Sequence, residues 1–327
     1  MLEVASRLRE IEESEHGEKL IDTYAYYGLS EDDRSFYQNH DFTVYQGKVR
    51  ELLRRGEQLF VFHTDRLSAF DRYIGMVPYK GLILSEMSSF WLEDAKKVVP
   101  THLIKAMNER VLEVKNCQPI KAEVIVRGYM AGSMMRAYEK GERQFCGQTL
   151  GEGLRAYRSL PQALITPTSK AAAFEHDVDA SPEELFAQGV CSETEWRQIE
   201  KLSLDLFAYG QEVYAKKGWI LVDTKYEFGR LPNGDIIVID EIHTPDSSRL
   251  WIKETYAKRL EEKQAPDMLD KENVRRYLLE RDFSGHGEVP AVPAAVLVSL
   301  AKIYLQVAET LMEKPLTCHS SDFRIPV

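Results

Sequence analysis

Apolar and polar residues alternate in three stretches between residues 41 and 126, and this period of two indicates β-strands. The stretches are FTVYQGKVREL, QLFVFHT and AEVIVRGYM. Helix-forming, charged residues fill positions 1 to 36, and helical patterns return after about residue 130. The pattern therefore predicts an α+β protein with an N-terminal helical extension (1–36), a small β-rich lobe (37–126) and a larger α+β lobe (127–327). Ligands usually bind in clefts, so we expect the binding site between the two lobes.

Two apolar runs, WILV and IIVI, flank a Pro-Asn-Gly turn and predict a β-hairpin that carries several acidic residues. If Asn233-Gly234 is a two-residue turn, counting outward places Glu227 opposite Asp240. Opposed Cβ atoms lie only ~4.5–5.5 Å apart, so two carboxylates there repel each other unless a cation intervenes. Mg²⁺ accepts one or two carboxylates together with substrate phosphates, and the hairpin predicts such a site. Lys225 is two residues from Glu227 and points to the same face.

A solvated sheet face with a salt bridge is the alternative for this hairpin, and a longer loop would shift the register. The following segment, TPDSSRLWIKETYAKRLEEK, predicts a helix whose N-terminus binds an anion. Asp246 or Ser247 would cap that helix, with Arg249 in its first turn. An ion pair between Arg249 and Asp246 is the other interpretation.

Three further segments carry candidate chemistry. EVIVRGYMAGS predicts a strand ending at Arg127 and a helix capped by Ser133, which is either a second anion site or a simple strand–turn–helix. YQGKVREL resembles a glycine loop that covers a nucleotide, although an exposed basic strand also fits and the Walker A spacing is absent. ITPTSKAAAFEHD is suited to substrate recognition. Its candidate residues are Lys170, His176 and Asp177.

The composition narrows the class of protein. The net charge is −10, which excludes general nucleic-acid binding, because that rests on Lys and Arg neutralising phosphates. The four cysteines are scattered, so we expect free thiols in a cytoplasmic protein. No segment has signal-peptide character, and no apolar run approaches the ~20 residues of a membrane helix.

Together, eight motifs in this order resemble the SAICAR synthetase family. They are GKVRE (47–51), DRLSAFD (65–71), KGLILSEMSSFW (80–91), EVIVRGYMAGS (123–133), TPTSKA (166–171), EHD (175–177), DTKYEFG (223–229) and DEIHTPDSSRLW (240–251). The resemblance implies a two-lobed fold whose nucleotide cleft is similar to those of protein kinases and ATP-grasp enzymes. It also implies an ATP-dependent ligase of purine biosynthesis. This enzyme joins the carboxylate of carboxyaminoimidazole ribonucleotide (CAIR) to L-aspartate, through an acyl phosphate, and gives SAICAR, ADP and phosphate.

The resemblance also implies roles for individual residues. ATP contacts are implied for Gly47, Lys48, Arg50, Glu227 and the main chain of a hinge that includes Glu123 and Ile125. The implied Mg²⁺ ligands are Glu227 and Asp240. Contacts to the ribonucleotide or aspartate are implied for Arg127, Ser133, Lys170, His176, Asp177, Asp246 and Arg249. The implied catalytic residues are Lys225, Lys170 and Asp240, with the lysines stabilising charge on the carboxylate and the transferring phosphate.

Two alternatives share these motifs: a small-molecule kinase using the same ATP and Mg²⁺ site, and a non-catalytic nucleotide-binding module. His243 lies between the metal strand and TPDSSR, where its imidazole would make the site mildly pH-sensitive near neutrality. Residues 1–36 lie outside the resemblance, and we expect their deletion to spare the chemistry. A homo-oligomer is a further expectation from the resemblance.

Overall fold

A computed structural model describes residues 2–169, 178–319 and 323–327. Its α-helices are α1 (Val4–Glu13), α2 (Gly17–Tyr24), α3 (Glu31–Gln38), α4 (Lys80–Asp94), α5 (Gly132–Glu139), α6 (Pro182–Ala187), α7 (Glu193–Lys216), α8 (Lys253–Glu261), α9 (Glu272–Leu279) and α10 (Ala294–Met312). Its strands are β1 (Leu2–Glu3), β2 (Thr43–Gln46), β3 (Arg50–Arg55), β4 (Gln58–His63), β5 (Arg66–Ala69), β6 (Arg72–Met76), β7 (Leu103–Asn108), β8 (Val111–Lys115), β9 (Gln118–Pro119), β10 (Ala122–Tyr129), β11 (Gln144–Phe145), β12 (Gln148–Thr149), β13 (Ser159–Ser169), β14 (Val178–Asp179), β15 (Trp219–Arg230), β16 (Ile236–Ile239), β17 (Ser248–Ile252) and β18 (Thr317–Cys318).

The chain divides into two compact units whose boundaries differ from the predicted lobes. The first unit comprises Met1–Trp91, Leu103–Asn116 and Asp270–Val327, and the second comprises Leu92–His102 and Cys117–Leu269. The C-terminal helices belong to the first unit because α10 packs against α1 and α2. Strand β10 belongs to the second unit because it pairs with β13 and β15.

The first unit is built on a five-stranded antiparallel sheet in the order β2-β3-β4-β8-β7. Buried aromatic side chains form its core, and residues near both ends of the chain contribute to it. The cluster contains Leu29, Tyr37, Phe42, Leu53, Phe60, Phe62, Val111, Phe323 and Ile325. Residues 1–36 therefore do not form a separate appendage, since Leu29 and the neighbouring Tyr37 pack inside the same core as the sheet.

Helix α10 corrects one expectation from the sequence. Its 19 residues meet the length and hydropathy criteria for a membrane span, whereas the sequence analysis expects no such segment. Half of its most apolar window is buried inside the protein, where the helix packs against α1, α2 and α9. This burial accounts for its apolar side chains as part of a protein core.

The second unit is built on a seven-stranded antiparallel sheet with β10 and β15 as central neighbours. The long helix α7 covers one face of this sheet. A Cβ at Gly128 would lie 3.2 Å from the ring of Phe207 on α7, so the glycine lets the helix approach the sheet closely. Side chains alternate between faces along a strand, so the odd-numbered residues from 123 to 127 of β10 and from 223 to 227 of β15 point to the face opposite α7.

Candidate active site

The face of β10 and β15 opposite α7 carries a row of charged side chains. Arg127 pairs with Asp223 in the strand register, and Ile125 pairs with Lys225. Continuing this register by one residue places Glu123 opposite the residue at position 227, which is also glutamate. The signs along β15 alternate from Asp223 through Lys225 to the glutamate, so each cation on this face lies beside an acid.

Lys225 lies between two carboxylates. Its Nζ donates to Glu123 Oε1 at 2.6 Å and to Glu227 Oε1 at 3.0 Å. Burial by itself lowers the pKa of Lys225, but the charges and hydrogen bonds of Glu227 and Glu123 outweigh it and raise the pKa above its usual value. The ammonium therefore stays charged. The predicted shared face of Lys225 and Glu227 is confirmed, as is the salt bridge of the alternative interpretation.

The predicted register of the hairpin is wrong by one residue. Glu227 pairs with Ile239, and Asp240 follows the end of β16 with a left-handed backbone (φ 63°). The cause is a three-residue loop, because Gly234 N–H donates to Leu231 O at 2.9 Å and Gly234 has φ 89°. A type I turn followed by a left-handed glycine is the usual form of such a loop. The acid opposite Glu227 is Glu123, on the other neighbouring strand.

The acids at this end of the row fit a magnesium ion better than a metal with an all-protein cage. No group of three or more His, Cys, Asp or Glu side chains with metal-binding geometry occurs among residues 2–169, 178–319 and 323–327. Mg²⁺ keeps several waters and is held by one or two carboxylates plus phosphates. Glu123 and Glu227 bring two carboxylates together beside Lys225, and carboxylates are the ligands that Mg²⁺ takes from a protein.

Asp223 lies between two arginines at the other end of the row. It pairs with Arg127 on β10 and with Arg249 on β17. Its Oδ2 accepts from Arg249 Nη1 at 2.6 Å and lies 3.5 Å from Arg127 Nη1. Burial lowers the pKa of Arg127, and the Asp223 charge acts in the opposite direction. Two guanidinium groups thus converge on one carboxylate, and such groups are suited to binding an anion such as phosphate.

The remaining donors of Arg127 orient it within the sheet. Its Nε donates to Thr166 Oγ1 at 2.8 Å, and its Nη2 donates to Ser133 Oγ at 3.1 Å. The sequence therefore predicted correctly that Arg127 and Ser133 come together. It was wrong about the local structure, because β10 continues to Tyr129 and Ala131 is the residue before α5, so Ser133 does not cap the helix.

Arg249 lies on a strand and not in the first turn of a helix. Residues Ser248–Ile252 pair with β15, and α8 begins only at Lys253. The β-branched and aromatic content of this segment is compatible with a strand, and the pairing with β15 decides the outcome. Arg249 forms an ion pair with Asp223. Its pairing with Asp246 stays an alternative prediction.

The TPDSS segment forms a turn that packs against β15. Ser247 N–H donates to Thr244 O at 3.1 Å, and Ser247 O accepts from Lys225 N–H at 3.1 Å. Asp246 lies within this turn. The main-chain bond between Ser247 and Lys225 therefore holds the turn beside the charged row. The predicted role of Asp246 as a helix cap is wrong, since α8 starts seven residues later.

The predicted glycine loop lies in the first unit, between β2 and β3. Gly47 N–H donates to Arg50 O at 2.8 Å, which closes the turn. Lys48 lies in the turn, exposed, with its Nζ 3.3 Å from Asp71 Oδ1. Arg50 begins β3 and pairs with His63. Lys48 therefore extends from a turn and not from the face of a strand.

His243 does not make the site pH-sensitive near neutrality. The side chain is fully buried, and burial lowers its pKa to about 3. Its Nε2 hydrogen-bonds Tyr226 Oη at 2.6 Å, and a Cβ at Gly210 of α7 would lie only 2.5 Å from its ring. His243 therefore belongs to the packing between the sheet and α7.

Other predicted site residues have a less specific outcome. Ile125 lies in β10, opposite Thr166 on one side and Lys225 on the other. Recognition of adenine by the main chain of the hinge stays a prediction. Lys170, His176 and Asp177 lie outside the described residues. Asp223 was missed as a site residue, although its spacing of two from Lys225 already places both side chains on one face.

Comparison with known proteins gives a consistent result. The family model of SAICAR synthetase matches residues 43–291. A phosphoribosylaminoimidazole-succinocarboxamide synthase of Legionella pneumophila (strain Lens) is 41% identical over 272 residues, which is 82% of this chain and 86% of that protein. A chloroplastic synthase of the same name from Arabidopsis thaliana is 41% identical, over 81% of this chain and 66% of that protein.

Solved structures agree with the sequence relatives. SAICAR synthase from Saccharomyces cerevisiae, complexed with SAICAR, has a TM-score of 0.72 at 28% identity and covers 85% of this chain and 97% of that one. A SAICAR synthetase in complex with ADP has a TM-score of 0.66 at 24% identity, covers 84% of this chain and 100% of that one, and supports the fold.

The fold, with its charged row on a central antiparallel sheet, and the matching relatives define an enzyme of the ligase class. The chain belongs to the SAICAR synthetase family. The predicted fold class, α+β with a SAICAR-synthetase-like architecture, is confirmed. None of these comparisons favours the small-molecule kinase or the non-catalytic module.

Proposed function

We propose that the two ends of the charged row serve different substrates of one ligase reaction. The reaction is that of the SAICAR synthetase family: the carboxylate of CAIR is joined to the amine of L-aspartate, and ATP is converted to ADP and phosphate. The cluster around Lys225 serves ATP and its metal ion. The cluster around Asp223 serves the anionic ribonucleotide.

The assignment to ATP is supported by the two carboxylates, Glu123 and Glu227, that meet beside Lys225. Glu227 and Asp240 are the residues that would hold Mg²⁺, and the bound ion would neutralise charge on the ATP phosphates. Lys225 lies beside Glu227 and supplies a charged donor to the transferring phosphoryl group. Gly47, Lys48 and Arg50 of the glycine loop are separate candidates for contacts to ATP, as the family resemblance implies.

The assignment to the ribonucleotide is supported by the two arginines that share one carboxylate. Guanidinium groups bind phosphate through paired donors in a fixed plane, and Arg127 and Arg249 are held in place by Asp223 before any ligand arrives. Ser133 adds a hydroxyl, and Asp246 a carboxylate that can accept from hydroxyl or amine groups. Lys170 contributes to the same substrate, and His176 with Asp177 to aspartate.

The chemistry requires no nucleophile from the protein. A carboxylate oxygen of CAIR attacks the γ-phosphorus of ATP, the bond to the β-phosphate oxygen breaks, and ADP leaves. The amine of aspartate then attacks the carbonyl carbon of the acyl phosphate, phosphate leaves, and the amine loses a proton. Charged donors fixed before the reaction stabilise the transferring phosphoryl group without reorganising, and positioning supplies much of the rest.

The observation that carries this proposal is the register of β10 against β15, which aligns Arg127 with Asp223 and Ile125 with Lys225. We expect ADP release only when ATP, CAIR and aspartate are all present with Mg²⁺. A coupled ADP assay that omits each component in turn tests this. ADP release that is independent of aspartate would favour phosphoryl transfer to another acceptor and would contradict the ligase.

The proposal includes the setting of the enzyme. Its partners are the small-molecule substrates CAIR, L-aspartate and ATP. All four cysteines are free thiols, which supports a cytoplasmic location. Assembly into a homo-oligomer stays a prediction.

A further inference from the structure

The segment Tyr26–Arg34 comprises the connection from α2 to α3 and the first residues of α3, and it lies before residue 43, where the match to the family model begins. We call it the 26–34 segment. Its main chain and one of its side chains contact two buried acids of the recognised motifs, Glu51 of GKVRE and Asp65 of DRLSAFD. Motif residues next to the glycine loop are thus held by a part of the chain outside the matched region.

Glu51 is the first of these acids, and its side chain is fully buried. Its Oε2 accepts from Leu29 N–H at 2.7 Å, and its Oε1 accepts from Arg34 Nη2 at 2.5 Å. Gly28 has φ 123°, and a Cβ there would lie 2.4 Å from Glu51 Oε1, so the segment passes directly over the carboxylate. A buried carboxylate is stable only when paired, and Arg34 supplies one of its two cations.

Arg66 supplies the other cation and connects the segment to the glycine loop. Its Nη1 donates to Glu51 Oε1 at 3.1 Å and to Tyr27 O at 2.9 Å. Its Nη2 donates to Gly47 O at 3.2 Å and to Arg50 O at 3.4 Å. The guanidinium therefore bonds both ends of the turn that carries Lys48, while its other nitrogen bonds the 26–34 segment.

Asp65 fixes the start of the segment. Its Oδ2 accepts from Tyr26 N–H at 2.8 Å, and its own N–H donates to Tyr26 O at 2.9 Å. Arg110 neutralises Asp65 through a bond of 2.7 Å, and both side chains are buried. Because this anchor does not involve Arg34, loss of Arg34 removes the contact to Glu51 while the Tyr26 end of the segment keeps its own.

We propose that Arg34 is a positioning residue for ATP. It holds Glu51, Glu51 holds Arg66, and Arg66 holds the main chain of residues 47–50 in the conformation that presents Lys48 and Arg50 to the phosphates. This inference rests on the proposed role of the glycine loop in binding ATP. It reverses our expectation that deletion of residues 1–36 spares the chemistry.

The test compares Arg34→Ala with Arg34→Lys and with the control Arg7→Ala. Arg7 also lies before residue 43, but its partners are Glu10 and Tyr24. For Arg34→Ala we expect the KM for ATP to rise about 5- to 20-fold, because a lost charge-assisted bond is worth roughly 10- to 150-fold and only part of that effect reaches the loop through Glu51 and Arg66. The KM for aspartate and the KM for CAIR should stay within twofold, and Arg7→Ala should change none of them.

Arg34→Lys keeps the charge but cannot bond both Leu29 O and Glu51 as the guanidinium does. We expect it to give an intermediate KM for ATP, and it carries the test if Arg34→Ala does not fold. A lower melting temperature with an unchanged KM for ATP in the folded variant would show that Arg34 only stabilises the unit. Such a result would overturn the proposal.

Lys48→Ala separates this inference from the function on which it rests. If Lys48→Ala raises the KM for ATP and the Arg34 variants do not, the positioning role is wrong and the loop assignment stands. If Lys48→Ala leaves the KM for ATP unchanged, the assignment of the loop to ATP is itself wrong. Binding of ADP measured by calorimetry, without the other substrates, gives the same comparison independently of turnover.

Discussion

Gly132 offers the sharpest test of how the arginine cluster is built. It has φ 62°, and a Cβ there would lie 2.6, 2.7 and 2.8 Å from three atoms of the Arg249 guanidinium. No real Cβ comes that close, so Gly132→Ala has to displace Arg249 from its place beside Asp223. The substitution changes no charge and removes no hydrogen-bonding side chain, so any effect on the ribonucleotide comes from position alone.

Two contributions set the size of the effect. An alanine in the left-handed region costs about 1–2 kcal/mol of folding stability. Displacing Arg249 weakens charge-assisted hydrogen bonds of about 1.5–3 kcal/mol, both to Asp223 and to the phosphate of the ribonucleotide. Since about 1.4 kcal/mol is a factor of ten, we expect the KM for CAIR to rise roughly 10- to 150-fold, while the KM for ATP changes little.

Gly56→Ala is the matched control, because Gly56 has a similar backbone (φ 55°) and no heavy atom lies within 4 Å of a Cβ placed there. Thermal unfolding should show the cost of the left-handed alanine in both variants and a larger loss in Gly132→Ala, where the bonds of Arg249 to Asp223 weaken as well. Steady-state kinetics should show a raised KM for CAIR only in Gly132→Ala. If the two variants keep the same KM for CAIR as the parent protein, Arg249 does not contact the ribonucleotide in the way proposed.

Two further predictions concern the metal and the packing of the sheet. Asp240→Asn should abolish turnover at ordinary Mg²⁺ while circular dichroism shows an intact fold; near-normal activity would refute the metal role. The pKa of His243 is about 3 in the folded protein and about 6.5 in the unfolded chain. Below pH 6.5 the unfolded chain binds a proton that the folded protein does not, so the free energy of unfolding falls as the pH falls. Between pH 7 and pH 5 this group lowers the free energy of unfolding by about 2 kcal/mol. Urea unfolding should therefore show a decrease over this pH range that is about 2 kcal/mol smaller in His243→Gln than in the parent protein. Equal losses in both proteins would contradict the buried, neutral state.

The register of the acidic hairpin shows where inference from the sequence reaches its limit. The alternation of side chains correctly placed Lys225 and Glu227 on one face. The same sequence is compatible with a loop of two or of three residues, and this choice shifts every cross-strand partner by one position. The pairing of Glu227 with Ile239 depends on the conformation of Pro232–Gly234, which the residue types alone do not determine.

The prediction for the segment after the hairpin is wrong for a different reason. A polar turn followed by LWIKETYAKRLEEK satisfies the local rules for a capped helix. Residues Ser248–Ile252 nevertheless form a strand, because they pair with β15. This tertiary pairing outweighs the local preference for a helix. Arg127 and Arg249 could be recognised as ligand residues from their motifs, but their shared partner Asp223 follows only from the order of three strands.

That order explains why a buried sheet carries so many charges. Asp223 on β15 lies between an arginine on each neighbouring strand, and Lys225 lies beside two acids, so each charge has a partner before any substrate binds. A shift of β15 by one residue against β10 would turn this row toward α7 and bury unpaired charges in an apolar interface, at a cost of several kcal/mol per ion. The charges therefore specify the register as well as the ligands. A substitution that neutralises one of them should disturb strand pairing and substrate affinity together.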